Sequence, residues 1–555
     1  MWDSTASASA RRHYGIALIL GFAIAMFYVA MVAPIAYLYS DPDTSYFLEA
    51  ARNVLAGNGL VVSAELDKWS SVTEPLSLWP PGYPITIAVG AKLLGVDPMW
   101  LAPKIAWLSW ALLPAALLFV LRPVLSSRSV HVISVIVMLS PGVIANAWQA
   151  MTDVPFLLLT LISFGLFFRG TQAGARPVVL MMSGVFCALA YSYRNVGMAS
   201  FLAIGGAYSI LVVLRLVNFR AALSRLTWWA AGSSLIVIPL LLRNQLVFGD
   251  LQPYAMPPSQ VGVGKNIRDY AASTLSDILA VRVYLYQAIE NNAICLALGF
   301  GLVLLVWLAR KNLARLWNDL PPAMKERFAV LLAYVAAGAS VVIVARTTYQ
   351  WGEFIGTRHV LQYDWVLFAF GAVLFERWGN LSRGAVAAVV GAVVLIVGLR
   401  VHFLSQDIEA HREDFAIASR SADPVALMAI SHGYRYHLAV KLVIVQDQPL
   451  MRALRDLPAD SVLMSNFEDV LRVMTGRIVH PITLAEFCDP PKDQVILSQA
   501  GASPTNIAVL LFPTRNLVQS GCWQRLYGSS LERFPLNAAS PYLISLSAER
   551  IGTNP

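Results

Sequence analysis

The stretch Asp41-Pro42-Asp43-Thr44-Ser45-Tyr46 follows directly on a long apolar run at residues 14–39. About 20 apolar residues are enough to cross the hydrocarbon core of a bilayer, so the run predicts a membrane-spanning helix. Two carboxylates separated by one proline therefore lie where the first span leaves the membrane. Unpaired acids are costly at that boundary, and this favours a chemical role for the pair.

The composition of the chain excludes a soluble globular protein. Of its residues 57% are hydrophobic and 13% are charged, whereas soluble domains are about 25% charged. The formal net charge is +8, and the basic residues concentrate in short loops between apolar runs. This distribution predicts anchoring at the anionic cytoplasmic surface of a membrane and not the binding of nucleic acid.

About eleven apolar runs are candidate spans, which predicts an α-helical polytopic membrane protein. Every second loop is basic, and the positive-inside rule places those loops in the cytoplasm together with the N-terminus. The first run is too long for the core of a signal peptide and is expected to be a retained span. The predicted spans are approximately residues 14–38, 103–121, 129–148, 154–168, 177–193, 197–214, 227–242, 287–309, 328–345, 360–375 and 384–402.

Two domains are predicted: a transmembrane domain at residues 1–402, with a long first external loop at 39–102, and an extracytoplasmic domain at 403–555. The second domain loses the apolar runs and alternates short β-like segments with helical ones, which is typical of a small α/β domain. Cys488 and Cys522 lie in it and leave a disulfide open. Its clearest predicted strands are residues 461–464, 507–511 and 542–546, with a helix at 466–475.

The first external loop is predicted to contain two helices at the membrane interface. Residues 46–60 begin with apolar side chains at helical spacing, and Asp43 is a plausible N-cap for that helix. Residues 84–94 are apolar but too short to span a bilayer, so they are expected to lie at its surface.

Three acids face the external compartment in this topology: Asp41, Asp43 and Asp153. Each could simply cap a helix, because a carboxylate before a helix accepts backbone N–H groups and suits the helix dipole. Together they could instead supply a general base and the ligands of a divalent cation such as Mg²⁺ or Mn²⁺. The spacing alone leaves both interpretations open, with Asp153 and Asp41 as the candidate metal ligands.

Basic residues stand on the same predicted face, where the positive-inside rule should deplete them. Arg194 ends one predicted span, Arg243 ends another, and Arg358-His359 precedes a third. The planar guanidinium group suits phosphate, which makes these four residues candidates for an anionic ligand. The alternative is interfacial anchoring of helix ends, and that interpretation fits Arg346 and Trp351 best.

Nucleotide chemistry is not indicated, because the chain has no phosphate-binding Walker loop and no Gly-rich dinucleotide fingerprint. What it does have is a series of short motifs in a fixed order relative to the predicted spans. These are Asp41-Pro42-Asp43-Thr44-Ser45-Tyr46, Leu55-Ala56-Gly57-Asn58-Gly59-Leu60, Pro80-Pro81-Gly82-Tyr83-Pro84, Thr152-Asp153-Val154-Pro155, Leu242-Arg243-Asn244 and Arg358-His359.

In this order and topology, over about residues 14–400, the chain resembles the integral-membrane GT-C glycosyltransferases, a group that includes protein O-mannosyltransferases and lipid A aminoarabinose transferases. The resemblance implies a sugar donor on a polyprenyl phosphate and a lipid, glycan or protein acceptor, at the external face of a bacterial inner or plasma membrane. It implies that Asp43 is the catalytic acid with Asp41 beside it, and that Asp153 helps to hold an ion in metal-dependent members. The chain lacks the Trp-Trp-Asp motif of oligosaccharyltransferases, which argues against transfer to asparagine.

Two other classes of membrane protein remain as alternatives. A lipid or sugar transporter of this size would carry charges within its spans and show repeated halves, and neither pattern is obvious in the sequence. A non-catalytic protein of polysaccharide assembly would not need acids gathered on one face.

Overall fold

A computed structural model describes most of the chain. The described residues are 4–36, 42–63, 73–253, 256–280, 317–349, 355–377, 383–420, 454, 456–457, 462–465, 468–477, 479–481, 507–510 and 543–546. The chain divides into two compact units. Unit 1 comprises Met1–Tyr28, Ser77–Tyr83 and Lys104–Asp407, and unit 2 comprises Val29–Leu76, Pro84–Pro103 and Ile408–Pro555.

Long apolar helices dominate the described residues, as the sequence predicts. The helices are α1 (Ser4–Ala36), α2 (Pro42–Leu55), α3 (Gly82–Leu94), α4 (Pro98–Leu121), α5 (Ser127–Met138), α6 (Pro141–Ala147), α7 (Asp153–Gly170), α8 (Pro177–Tyr193), α9 (Met198–Val213), α10 (Phe219–Phe248), α11 (Val263–Leu279), α12 (Pro322–Thr348), α13 (Leu361–Arg377), α14 (Arg383–Arg420) and α15 (Glu468–Thr475).

Seven of the described helices are long and apolar enough to cross a membrane, or eight if the bent pair α5–α6 is one span. Their surfaces remain apolar where no protein covers them: Val213 is 80% exposed and Leu246 is 83% exposed. Such side chains are stable only against lipid, because large apolar patches are rare on soluble monomers. The protein is therefore an integral membrane protein. The predicted span at residues 287–309 lies outside the described residues.

The predicted third span is broken in the middle. α5 and α6 meet at an angle of 63°, at the dipeptide Ser140-Pro141. Proline has no N–H to continue the hydrogen bonds of α5, but it suits the first turn of a new helix. Ser140 caps that new helix, because its hydroxyl accepts the amide of Val143 at 3.4 Å. The sequence Ser-Pro thus ends one helix and starts the next.

Small residues let the spans of unit 1 approach each other closely. A Cβ atom on Gly184 would clash with the backbone of Trp229, and one on Gly232 would clash with the backbone of Met181, so α8 and α10 touch through their main chains. This packing is common between membrane helices, where association depends on van der Waals contact. Between α7 and α8, Ser163 and Ser183 each donate a hydroxyl to the other's carbonyl, at 2.9 and 2.8 Å.

Unit 2 contains the β structure of the described residues. In the first external loop, β1 (Val61–Ser63) pairs antiparallel with β2 (Thr73–Pro75). Near the C-terminus a four-stranded sheet has the order β4-β3-β5-β6. Its strands are β3 (Val462–Ser465), β4 (Val479–Pro481), β5 (Ile507–Leu510) and β6 (Leu543–Leu546).

In that sheet β3 pairs parallel with both β4 and β5, and β5 pairs antiparallel with β6. Three of these strands and α15 match the segments predicted from the sequence, while β1, β2 and β4 were not predicted. The division of the chain at residue 402 stays a prediction.

Candidate functional site

A buried ion pair joins two helix ends in unit 1. Asp153 opens α7 and is fully buried, and Oδ1 of its carboxylate lies 2.5 Å from Nη1 of Arg194 at the end of α8. The same nitrogen is 3.3 Å from Oγ1 of Thr152. A carboxylate at a helix N-terminus and a guanidinium at a C-terminus both suit the helix dipoles. The pair therefore fixes the start of α7 against the end of α8.

The Pro-Pro-Gly-Tyr-Pro motif supports this pair from another element. A Cβ atom on Gly82 would lie 2.6 Å from the carbonyl oxygen of Ser192, so a larger residue would push the motif away from the end of α8. The ring of Tyr83 lies 5.4 Å from that of Tyr193. Burial raises the pKa of Tyr83 well above its usual range, with further contributions from Tyr193 and the Asp153 carboxylate. Tyr83 is therefore a neutral hydrogen-bond donor near the ion pair.

His359 lies where three positive charges converge. It ends a short 3₁₀ turn, is buried, and accepts the backbone amide of Gly356 at Nδ1 over 3.0 Å. Burial lowers the pKa of His359 well below its usual range, and the charges of Arg358, Arg194 and Arg346 act in the same direction. The imidazole is therefore neutral, with its proton on Nε2.

Arg346 is the least satisfied of these charges. It lies in the last turn of α12, is 6% exposed, and neither Nε nor Nη1 has a hydrogen-bond partner among the described residues. The interpretation of Arg346 as an interfacial anchor is wrong, because an anchoring arginine holds its head group in water. Trp351, to which the same interpretation applied, lies outside the described residues. We call Arg194, Arg346, Arg358 and His359, together with Asp153, the basic cluster.

Comparison with known proteins gives the fold. The sequence profile of the family described as dolichyl-phosphate-mannose-protein mannosyltransferase matches residues 23–248. The chain also aligns with the crystal structure of ArnT from Cupriavidus metallidurans bound to undecaprenyl phosphate, over 95% of this chain and 97% of that one, with a TM-score of 0.51 and 10% identity. The chain therefore has the fold of ArnT, the GT-C fold.

A second GT-C structure supports the same fold. The oligosaccharyltransferase of Archaeoglobus fulgidus in its apo form aligns with 90% of this chain and 69% of that one, with a TM-score of 0.50 and 10% identity. No curated protein matches the chain in sequence.

Arg243 lines a cleft of unit 1. The cleft is lined by the side chains of Trp79, Tyr191 and Asn195 among others, and Asn195 follows Arg194 in the chain. Arg243 donates from Nη1 to Oδ1 of Asn244 over 3.0 Å. The predicted basic residues Arg194, Arg358 and His359 are thus brought together, and Arg243 lines a cleft with Asn195, the residue after Arg194.

The predicted catalytic acids belong to unit 2. Asp43 is the second residue of α2 and is therefore not the N-cap that the sequence predicts, and Asp41 lies outside the described residues. The amphipathic helix predicted to follow them is present and ends at Leu55. The roles of Asp43 and Asp41 stay predictions.

The predicted metal site finds limited support in the residues present. Asp153 faces Arg194, which already neutralises its charge, and the described residues include no group of three or more His, Cys, Asp or Glu side chains that could hold an ion. Asp41, the other predicted ligand, is not described. The described side chains thus do not make a metal site, and metal dependence stays a prediction.

Proposed function

We propose that this protein transfers a sugar from a polyprenyl-phosphate-linked donor to an acceptor hydroxyl on a lipid, glycan or protein at the extracytoplasmic face of the membrane. The observation that carries the proposal is the basic cluster. Three guanidinium groups act on one buried, neutral imidazole, and one of them, that of Arg194, is paired with the carboxylate of Asp153. Buried charge of one sign is expensive unless a partner of opposite sign is present.

A phosphate group is the partner that suits this cluster. Guanidinium groups offer planar pairs of N–H donors that match phosphate oxygens, and the Nε2–H of His359 adds a neutral donor. Arg346 contributes Nε and Nη1 groups that lack partners among the described residues. A phosphate on a polyprenyl chain would be held at the height of helix ends in the membrane. The match to ArnT, solved with undecaprenyl phosphate, agrees with this assignment.

The charge of the phosphate changes during transfer, and this gives the cluster a catalytic role. In the donor the phosphate is a diester between the lipid and the sugar and carries one negative charge. When the bond between the anomeric carbon and the phosphate oxygen breaks, the electron pair stays on that oxygen, and the lipid phosphate becomes a monoester with a charge of about −1.5 to −2 near pH 7. Fixed positive groups therefore stabilise the transition state more than the bound donor.

The acceptor needs a base. We assign this role to Asp43, with Asp41 as its neighbour, because the resemblance of the sequence motifs to GT-C glycosyltransferases implies a catalytic acid in the first external loop. The acceptor oxygen forms a bond with the anomeric carbon as the lipid phosphate departs, and the hydroxyl proton passes to the Asp43 carboxylate. No step is assigned to a metal ion.

The cluster is tested with radiolabelled polyprenyl-phosphate sugar in isolated membranes. Replacement of Arg346 by Met removes one positive donor, and we expect sugar transfer to fall by about 10²-fold, the cost of one lost oxyanion donor. Arg327→Met is the matched control, because Arg327 is also a buried arginine of α12 but bonds the carbonyl of Pro123 at 3.1 Å. Arg346→Met with parental activity, or equal losses in both variants, would contradict the assignment.

The base is tested in the same assay. Asp43→Asn keeps the shape and the hydrogen-bonding capacity of the side chain but removes the proton acceptor. We expect kcat to fall by about 10²- to 10⁴-fold, the usual contribution of a general base, with an unchanged melting temperature. Transfer at the parental rate by a folded Asp43→Asn protein would remove Asp43 from the mechanism.

A further inference from the structure

The helix that carries Asp43 packs against the C-terminal part of unit 2 and is hydrogen-bonded to it. On α2, Tyr46, Glu49 and Arg52 follow Asp43 at intervals of three residues. Residues three apart are neighbours on a helix surface, so these side chains form one strip. α15, between β3 and β4 of the C-terminal sheet, packs against α2.

Arg472 of α15 lies on this strip. Its guanidinium carbon is 4.7 Å from the centre of the Tyr46 ring, a cation–π contact of the kind that strengthens when water is excluded. Arg472 is 3% exposed, and its Nε donates to the carbonyl of Val479 on β4 over 2.6 Å. One side chain thus contacts the Asp43 helix on one side and the C-terminal sheet on the other.

Arg52 makes the reciprocal contact from α2. Its Nη1 donates to the carbonyls of Arg472 and Val473, over 3.3 and 3.0 Å, near the C-terminal end of α15. Its Nη2 lies 3.1 Å from the carboxylate of Asp97. Positive charge at a helix C-terminus suits the helix dipole, and it also satisfies carbonyls that have no partner within the helix.

Glu49 adds the first external loop to the same assembly. Its Oε1 accepts the backbone amide and the hydroxyl of Ser63 on β1, over 2.9 and 2.5 Å. Burial raises the pKa of Glu49, and the positive charge of Arg472 opposes this shift more strongly than any other group. The charge of Arg472 thus favours the ionised form of Glu49.

We propose that Arg472 is a positioning residue: it holds the helix of Asp43 against the C-terminal sheet, so that the C-terminal domain sets the orientation of the base. This inference rests on the proposed function, because it takes Asp43 to be the base. It gives the C-terminal domain a part in the chemical step that does not depend on binding the acceptor. The donor-phosphate residues belong to unit 1, so loss of Arg472 should lower kcat and spare the KM for the donor.

The test uses the full-length protein in detergent with two measurements. The first is amide hydrogen exchange in residues 42–55, which reports how firmly α2 is held whatever the catalytic activity. The second is kcat and donor KM for sugar transfer. In Arg472→Met we expect faster exchange in 42–55 and a fall in kcat of about tenfold to 10²-fold, because small misplacements of catalytic groups have effects of that size. Arg472→Lys, which keeps the cation, should restore part of both.

Two further variants separate positioning from general damage to the domain. Thr475→Val is the matched control, since the Thr475 hydroxyl donates to the Leu471 carbonyl over 2.6 Å and accepts the Arg477 amide over 3.2 Å, both at the end of its own helix. It should leave α2 exchange and kcat unchanged. Tyr46→Leu removes the ring under Arg472. The double variant Tyr46→Leu, Arg472→Met should reduce kcat and α2 protection little more than either single change, because both changes remove the same cation–π contact.

The outcomes distinguish this inference from the proposed function. Unchanged exchange in residues 42–55 of Arg472→Met overturns the inference even if the parental protein transfers sugar. Faster exchange with parental kcat also overturns it, because α2 would then be held without consequence for the reaction. A parental protein that transfers no sugar from any polyprenyl-phosphate donor overturns the proposed function, while the exchange measurement still decides whether Arg472 holds α2.

Discussion

Two buried arginines of unit 1, Arg400 and Arg346, have opposite surroundings. Arg400 of α14 is fully buried, and its guanidinium group donates to three backbone carbonyls: that of Ile136 from Nη1, that of Asp277 from Nη2 over 2.8 Å, and that of Ile278 from Nη2 over 3.3 Å. Arg346 is buried almost as deeply, yet its Nε and Nη1 lack partners among the described residues.

The partners of Arg400 explain its burial. Asp277 and Ile278 lie in the last turn of α11, and Ile136 lies in the last turn of α5, so one cation caps two helix C-termini. The Asp277 side chain in turn accepts the amide of Gly142 over 2.8 Å and the hydroxyl of Ser140. Arg400 is thus part of a network of protein groups, whereas Arg346 has donors without partners among the described residues, and these are the donors that we propose for the phosphate.

The largest expected effect is therefore on stability, at Arg400. Arg400→Met removes the cation and leaves the carbonyls of two helix ends buried without a donor. Breaking a buried charged network in this way costs about 3 to 5 kcal/mol, so the variant should show a much lower melting temperature in detergent. A melting temperature equal to that of the parental protein would show that Arg400 does not stabilise the fold.

Arg346→Met should not lower the stability of the protein, in contrast to Arg400→Met. The apolar side chain removes a buried charge whose desolvation is only partly compensated, so we expect the melting temperature to stay equal to the parental value or to rise. A soluble polyprenyl-phosphate analogue should raise the melting temperature of the parental protein more than that of the variant, because a ligand stabilises the state that binds it. A strong loss of stability in Arg346→Met would make Arg346 a structural residue like Arg400.

The sequence predicts the helical membrane fold but cannot separate these two arginines. The apolar runs indicate most of the spans within a few residues, because in a bilayer only helices and closed barrels satisfy the backbone. The ion pair of Asp153 with Arg194 joins residues about 40 positions apart, and sequence spacing does not reveal such a contact. Arg346 was assigned to the interface because arginines at helix ends often anchor there. The sequence signal for a buried role was that Arg346 and Arg358 lie on the external face, where the positive-inside rule should deplete arginine.

The smallest expected effect concerns Glu49 in unit 2, whose carboxyl group is only partly hydrogen-bonded. Its Oε1 accepts a bond from Ser63, and its Oε2 has no hydrogen-bond partner among the described residues. In this respect Glu49 stands between the fully bonded Arg400 and the less satisfied Arg346. Burial, opposed first by Arg472, raises the pKa of Glu49 above its usual value. A raised pKa in the folded state means that the contribution of Glu49 to stability is fully present below about pH 4.3, the usual pKa of the side chain, and is lost as the pH rises through the folded-state pKa. Glu49→Gln keeps an acceptor for Ser63 and cannot ionise. Between pH 4 and pH 8 the melting temperature of this variant should therefore fall less than that of the parental protein, and the difference between the two falls is the contribution of Glu49. Parallel curves for the two proteins would show that Arg472 and Ser63 compensate the Glu49 charge as completely as the helix ends compensate Arg400.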